Sequence, residues 1–219
     1  LLRFHNGETV VPPKRSAPLS GSARAFDAAR LAPYYQRNPI PLPADLAKAK
    51  AIYVAHYRCI TLHPAALPDG PRVWVSGTTT WRHLAAKGIW VEGCTDHLGF
   101  EALDESLASA ALQLPPLGDW TAITHQDATE SWGNSGLGRV IAAYVNSPQA
   151  LPTELVTEVR DAQHFFWSSP NQYERLRPFV RVDAHHAAGP GKTAQFLRDN
   201  GLGQVDLFPS RSVWQQWLG

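Results

Sequence analysis

Two short stretches of this 219-residue chain place glycines and hydroxyls where they can meet an anion: Ser76-Gly77-Thr78-Thr79-Thr80, and Gly189-Pro190-Gly191-Lys192-Thr193-Ala194. Each follows an apolar run and opens a helical one. Unpaired backbone N–H groups and the positive helix end would therefore face a negative ligand. Taken singly, each turn is also explained by capping alone, because Ser and Thr cap helices and Gly permits close packing. Gly191-Lys192-Thr193 matches the end of a nucleotide-binding P-loop, but that motif needs a further glycine where His186 stands, which argues against it.

The chain has nine histidines and two cysteines, so metal and redox chemistry must be weighed. His185 and His186 are adjacent on a strand and face opposite sides, so they cannot share one ion. His125 closes an apolar run and is a candidate for a ligand-facing position. His5, His63, His83, His97 and His164 show no partner spacing, and no metal site is expected. Cys59 and Cys94 have no CxxC spacing and are too few for a four-thiolate site; two buried free thiols are expected.

Composition sets the class. With 44% hydrophobic, 18% charged and 10% aromatic residues the chain can build a packed core and does not read as disordered. A net charge of +1 gives no overall attraction for nucleic acid. No apolar run approaches the roughly 20 residues that span a bilayer, and no signal-peptide pattern opens the sequence, so a cytoplasmic setting without membrane contact is expected. Methionine is absent, even at position 1, from which the chain is expected to begin after processing or within a longer polypeptide.

The elements that would position these residues follow from periodicity. The first 43 residues are broken by Pro12, Pro13, Pro18, Pro33, Pro39, Pro41 and Pro43, leaving a short strand at Leu1 to Phe4 and a short helix at Ser22 to Leu31. Asn38 to Pro43 reads as an extended domain crossing, because residues before proline avoid the helical region. Strands are predicted at Ala51 to Ala55, Arg72 to Ser76, Ile89 to Glu92 and Trp120 to Thr124, with helices at Thr79 to Lys87, stopped by Gly88, and Phe100 to Leu114. A second series has helix Leu151 to Ala162, strand His164 to Ser168, helix Pro170 to Phe179 and strand Val182 to His186. It ends with helix Thr193 to Asn200, strand Gln204 to Phe208 and a helix from Arg211. Pro170 suits a first helical turn and Gly201 a helix end. Both series put small-residue turns at the carboxyl ends of strands, where open parallel sheets hold ligands.

Together the segments resemble one family. GPGKTAQFLRDNGLGQVDLFPS (residues 189 to 210), FFWSSPNQYERL (165 to 176), SGTTTWRHLAAKGIWV (76 to 91) and GRVIAAYVN (138 to 146) are similar, in order and spacing, to motifs of uroporphyrinogen-III synthases. The resemblance implies an α/β fold of two similar parallel-sheet domains joined by a two-stranded linker, with a cleft between them. Residues 1 to 40 plus 147 to 219 would form one domain and residues 41 to 146 the other.

It also implies a function: closure of hydroxymethylbilane, a linear tetrapyrrole polycarboxylate, into uroporphyrinogen III with inversion of its last ring, in tetrapyrrole biosynthesis and without metal or organic cofactor. Tyr144 matches the tyrosine that the family is proposed to use to assist departure of the hydroxyl. Ser168, Ser169, Asn171, Gly191, Lys192 and Thr193 would bind substrate carboxylates, opposite Thr78, Thr79 and Thr80. His56 and Arg58 stand where the family has a small hydroxyl-bearing turn; they would grip carboxylates or narrow the cleft, and His125 would join them. A monomer is expected. The alternative is a non-catalytic relative that binds a tetrapyrrole or a protein partner.

Overall fold

The structure, a computed structural model, describes residues 2–3, 9–10, 13, 24–63, 67, 69–96, 100–133 and 135–219; His5, His97, Ser22, Leu1 and Phe4 lie outside them. The chain forms two compact units, Leu1–Tyr35 with Gln149–Gly219, and Gln36–Pro148.

The first unit holds the two-residue strands β1 (Leu2–Arg3) and β2 (Thr9–Val10), paired antiparallel, and a four-stranded parallel sheet. That sheet uses β3 (Ala25–Asp27), with β10, β11 and β12 from the far end of the chain, in the order β12-β11-β10-β3. Strands β10 (His164–Trp167), β11 (His185–Ala188) and β12 (Val205–Leu207) alternate with helices α4 (Thr153–Asp161), α5 (Pro170–Leu176), α6 (Lys192–Asp199) and α7 (Arg211–Leu218). Side chains alternate across β10: Phe165 and Trp167 join one core with Phe26, Leu176 and Leu197, while Phe166 joins Phe208 and Trp214 on the other face. Burial on both faces is what a parallel sheet flanked by helices requires. Where the chain leaves and re-enters this unit, Gln149 N–H donates to the Tyr34 carbonyl (3.0 Å), and the Arg175 guanidinium donates to the carbonyls of Tyr34 and Gln149 while lying over the Tyr35 ring.

The second unit is a six-stranded sheet ordered β4-β9-β8-β5-β6-β7. Its strands are β4 (Tyr35–Pro39), β5 (Ala51–Val54), β6 (Arg72–Val75), β7 (Gly93–Cys94), β8 (Trp120–His125) and β9 (Arg139–Pro148), and its helices α1 (Arg58–Thr61), α2 (Thr78–Ala85) and α3 (Asp104–Ala108). All ladders from β9 to β7 are parallel. Strands β4 and β9 run in opposite directions, since Ile40 N–H meets Ala143 O (2.8 Å) while Asn38 bonds Ser147 (3.1 Å). Ile52, Val54, Val73, Val75, Ile123 and Ile141 build the core of one face; Tyr53, Trp74, Trp120, Phe100 and Leu103 build the other.

Four predicted elements come out differently. The helix expected over Ser22 to Leu31 is strand β3 followed by a 3₁₀ turn, Ala28–Tyr34: Phe26 is buried against Phe165 on β10, and the Asp27 carboxylate caps the turn by accepting from Ala29 N–H (2.9 Å). The strand expected at Ile89 to Glu92 is shifted to Gly93–Cys94. Trp90 projects into solvent at 80% exposure, whereas Gly93 lies under the Trp74 indole, which would stand 2.7 Å from a Cβ there. The long helix at Phe100 to Leu114 breaks after Ala108, where Ser109 turns extended; Arg72 Nη1 takes up the carbonyls of Leu112 and Gln113 (2.8 and 2.9 Å). The strand expected at Val182 to His186 begins only at His185, because Arg181 and Asp183 pair with each other and Val182 is fully exposed. The helix-ending glycines take positive φ as expected, Gly88 at +78° and Gly201 at +87°, each followed by an N–H that reaches five residues back, Ile89 to Leu84 and Leu202 to Leu197.

Candidate functional site

In the second unit His56 and Arg58 follow β5, His125 closes β8, and Tyr144 stands opposite His125 on β9. After β5 the chain turns sharply, and the Arg58 backbone N–H donates to His56 Nδ1 (3.1 Å). A nitrogen that accepts carries no proton, so the neutral imidazole keeps its proton on Nε2 and presents a donor there. His56 is driven down to about 3, first by burial and then by the positive charges of Arg58 and Arg37 and by His125 and His83. It is a neutral ring throughout the physiological range.

Tyr57 fastens this corner to α2. Its ring lies 4.3 Å from that of His56 and is stacked at 3.9 Å and 20° on His83, with the Arg58 guanidinium 5.0 Å from its centroid. Helix α2 starts directly after Gly77, whose φ of 179° is ordinary extended backbone. Thr78 and Thr79 are exposed in its first turn; Thr80 is turned into the core at 3% exposure and presents no hydroxyl to a ligand.

Tyr144 stands on β9 with its ring against His125 at the end of β8, 5.9 Å between centroids and 26° between planes. The ring is buried at 4% exposure, yet the hydroxyl makes no hydrogen bond among the described residues. Among the described residues the buried side-chain polar atom left without a partner is Trp74 Nε1; the Tyr144 oxygen, also without a partner, is not among the buried atoms and keeps contact with solvent. Burial pushes the phenol pKa up, with Arg58 and Arg37 pulling the other way, and the group stays protonated at physiological pH. His125 is pushed down by burial, partly opposed by Asp127. His56, Arg58, His125 and Tyr144, four of the residues singled out from sequence, thus share one cluster with Tyr57, His83 and Arg37, which were not singled out. The adjacency of Tyr57 to His56 and Arg58 was the one available signal; Arg37 and His83 are too distant in sequence to have given one.

In the first unit, Ser168, Ser169 and Asn171 follow β10, and Gly191, Lys192 and Thr193 follow the adjacent β11. The donors at the start of α5 are largely committed. The N–H groups of Ser168 and Ser169 both donate to Gln172 Oε1 (2.9 and 3.2 Å), and the Ser169 side chain completes a capping box. The exposed Ser168 side chain and half-buried Asn171 are left as the outward groups there. Gly191 adopts φ +128°, a conformation L side chains rarely take, and so opens α6 with Lys192 exposed and Thr193 half-buried. Two shallow hollows among the described residues, of about 340 and about 300 Å³, lie at the amino ends of strands, one beside Arg72 and Trp90 and one beside His185 and Gln204. Neither contains any of these residues.

Cys59 is buried and its thiol is pushed up to about 12; Cys94 is half-buried and donates to Asp96 (3.1 Å). Among the described residues no cluster of three or more His, Cys, Asp or Glu side chains is placed to hold a metal, and no helix is long and apolar enough to cross a membrane.

The depressed histidines give a pH dependence with a definite sign. His56, His125 and His186 are each lowered mainly by burial, so as pH falls the unfolded chain takes up their protons first, near 6.5. Their contribution is complete above that pH and is lost as pH falls toward the folded value, about 3 for His56. By pH 5 the His56 share of the loss is expected to be on the order of 1–2 kcal/mol. Urea unfolding at pH 7 and pH 5 measures it: the drop should be smaller in His56→Gln than in the unaltered chain, and equal drops would contradict the assignment.

No family model matches the chain, and no curated protein matches it. Among solved structures, uroporphyrinogen-III synthetase from Helicobacter pylori 26695 is similar with a TM-score of 0.56 at 11% identity, over 89% of this chain and 97% of that one. At that identity the likeness is one of fold: mixed α/β with parallel sheets and flanking helices.

Proposed function

We propose that the chain is a uroporphyrinogen-III synthase, a cofactor-free lyase that closes hydroxymethylbilane with loss of water and inversion of the terminal ring. The observation that carries this reading is Tyr144: a buried phenol at the carboxyl end of a parallel sheet, protonated, in contact with solvent through its oxygen and bonded to no described residue. The fold shared with a synthetase of this name over 97% of its length supports the same reading.

In the proposed reaction the Tyr144 O–H donates to the hydroxyl of the substrate's hydroxymethyl group. As the carbon–oxygen bond breaks, the phenol proton passes to the departing oxygen, which leaves as water and leaves Tyr144 as phenolate. The proton released when ring closure restores the last pyrrole returns to the phenolate. Arg58, Arg37 and the Nε2–H of neutral His56 supply donors for substrate carboxylates in the same unit, and Thr78 and Thr79 add hydroxyls. In the other unit, exposed Ser168 and Lys192 and half-buried Asn171 and Thr193 are proposed to bind carboxylates. Freshly prepared hydroxymethylbilane should disappear faster with the protein than in buffer, in proportion to protein concentration; disappearance at the buffer rate would end the enzymatic reading. A second reading, a relative that binds a tetrapyrrole without turnover, is favoured by the bulk of the His56–Tyr57–His83 stack. It predicts quenching of the eight tryptophans by uroporphyrin without catalysis.

A further inference from the structure

The register of β8 and β9 slips by one residue just where Tyr144 stands. Thr121 to Thr124 face Arg139 to Ala142 in step, but His125 faces Tyr144, leaving Ala143 with no opposite number. A one-residue bulge of this kind flips every later side chain to the other face of the sheet. Burial records the flip: Ile141, Ala143 and Tyr144 all belong to the same core, although neighbours in a regular strand point to opposite faces. Without the bulge, Tyr144 would point toward the Tyr53 and Trp120 face, away from His125, whose side chain shares the face of Ile123.

The extra residue is held by its carbonyl. Ala143 O accepts from the N–H of Ile40, the residue after β4 (2.8 Å), and from His63 Nε2, just beyond α1 (3.0 Å). A carbonyl oxygen only accepts, so His63 donates here. We infer that His63 is a positioning residue which, by pinning the Ala143 bulge, aims Tyr144 at the His125 side of the sheet. Its meaning for catalysis rests on the role proposed for Tyr144; its structural content does not.

Three variants and two readouts test it. His63→Gln keeps a side-chain N–H of similar reach, His63→Ala removes it, and Tyr144→Phe supplies the background. For turnover of hydroxymethylbilane, His63→Ala is expected to lower kcat about tenfold with KM little changed, since small misplacement of a reacting group is costly. His63→Gln should restore most of the rate, and His63→Ala should cost nothing further once Tyr144 is Phe. Independently of activity, 3-fluorotyrosine labelling gives one fluorine resonance for each of the six tyrosines, with Tyr144 assigned by its loss in Tyr144→Phe. In His63→Ala the Tyr144 resonance should shift while the five others hold, and His63→Gln should return it. An unmoved Tyr144 resonance in a folded His63→Ala protein, or a uniform shift of all six, overturns the inference. If the unaltered protein consumes no hydroxymethylbilane, the synthase reading fails and the fluorine spectrum alone decides the role of His63.

Discussion

Tyr144→Phe is expected to lower kcat by about 10²-fold while leaving KM and the unfolding midpoint nearly unchanged. The hydroxyl has no partner among the described residues, so deleting it strands no donor or acceptor. The ring keeps its burial and its contact with His125. What disappears is one hydrogen bond that the proposed reaction needs as the carbon–oxygen bond breaks. Loss of a single donor aimed at developing negative charge typically costs about 10²–10³ in rate. Steady-state kinetics with hydroxymethylbilane, paired with urea unfolding of both proteins, separates the two effects. A rate within threefold of the parent would remove Tyr144 from the reaction.

The largest loss of stability is expected from Trp167→Ala, about 3–5 kcal/mol. Trp167 is fully buried at the end of β10, its ring parallel to Phe165 (3° between planes) and edge-on to Tyr173. Its Nε1–H donates to His186 Nδ1 (3.0 Å) inside the core. Truncation leaves a cavity and a buried acceptor with no donor. Trp167→Phe separates these contributions, since it refills part of the volume but leaves His186 unpaired, at about 1–3 kcal/mol. Equilibrium urea unfolding at pH 7 measures both. A Trp167→Ala midpoint equal to that of Trp167→Phe would show that the hydrogen bond, and not the packing, dominates. Since domains are stable by only about 5–15 kcal/mol, the alanine variant should lie near the limit of folding at 37 °C.

Much of the secondary structure is written in local residues. The runs Ala51 to Val54, Val73 to Val75 and Trp120 to Thr124 are rich in apolar, β-branched and aromatic residues, and they form strands because both faces are buried. Helix ends are marked by chemistry at single positions: Ser169 with Gln172 at the start of α5, and Gly88 and Gly201 after α2 and α6. What sequence could not show depends on partners far along the chain. Phe26 makes β3 a strand only because β10, nearly 140 residues later, offers it a place. Ile89 to Glu92 looks more like a strand than Gly93–Cys94 does, but the Trp74 indole admits only a glycine alongside.

The cluster around Tyr144 was legible to a similar degree. Residues at strand ends could be picked out by type, whereas the stack of Tyr57 on His83 and the reach of His63 to Ala143 arise from tertiary packing. The bulge itself is invisible in Ile141-Ala142-Ala143-Tyr144, because two alanines fit either face of a sheet. Thr80 illustrates the converse: three identical threonines in a row suggest three hydroxyls, and the helix turns one of them inward.

The proposed reaction is tested most directly by resolving the ring isomers formed from freshly made hydroxymethylbilane. Unaided closure gives the symmetric isomer I, and only inversion of the last ring gives isomer III. With the folded protein in excess, isomer III should dominate, and with Tyr144→Phe isomer I should rise as slowed turnover loses to spontaneous closure. Isomer I alone, formed at the same rate as in buffer, would contradict the proposal outright.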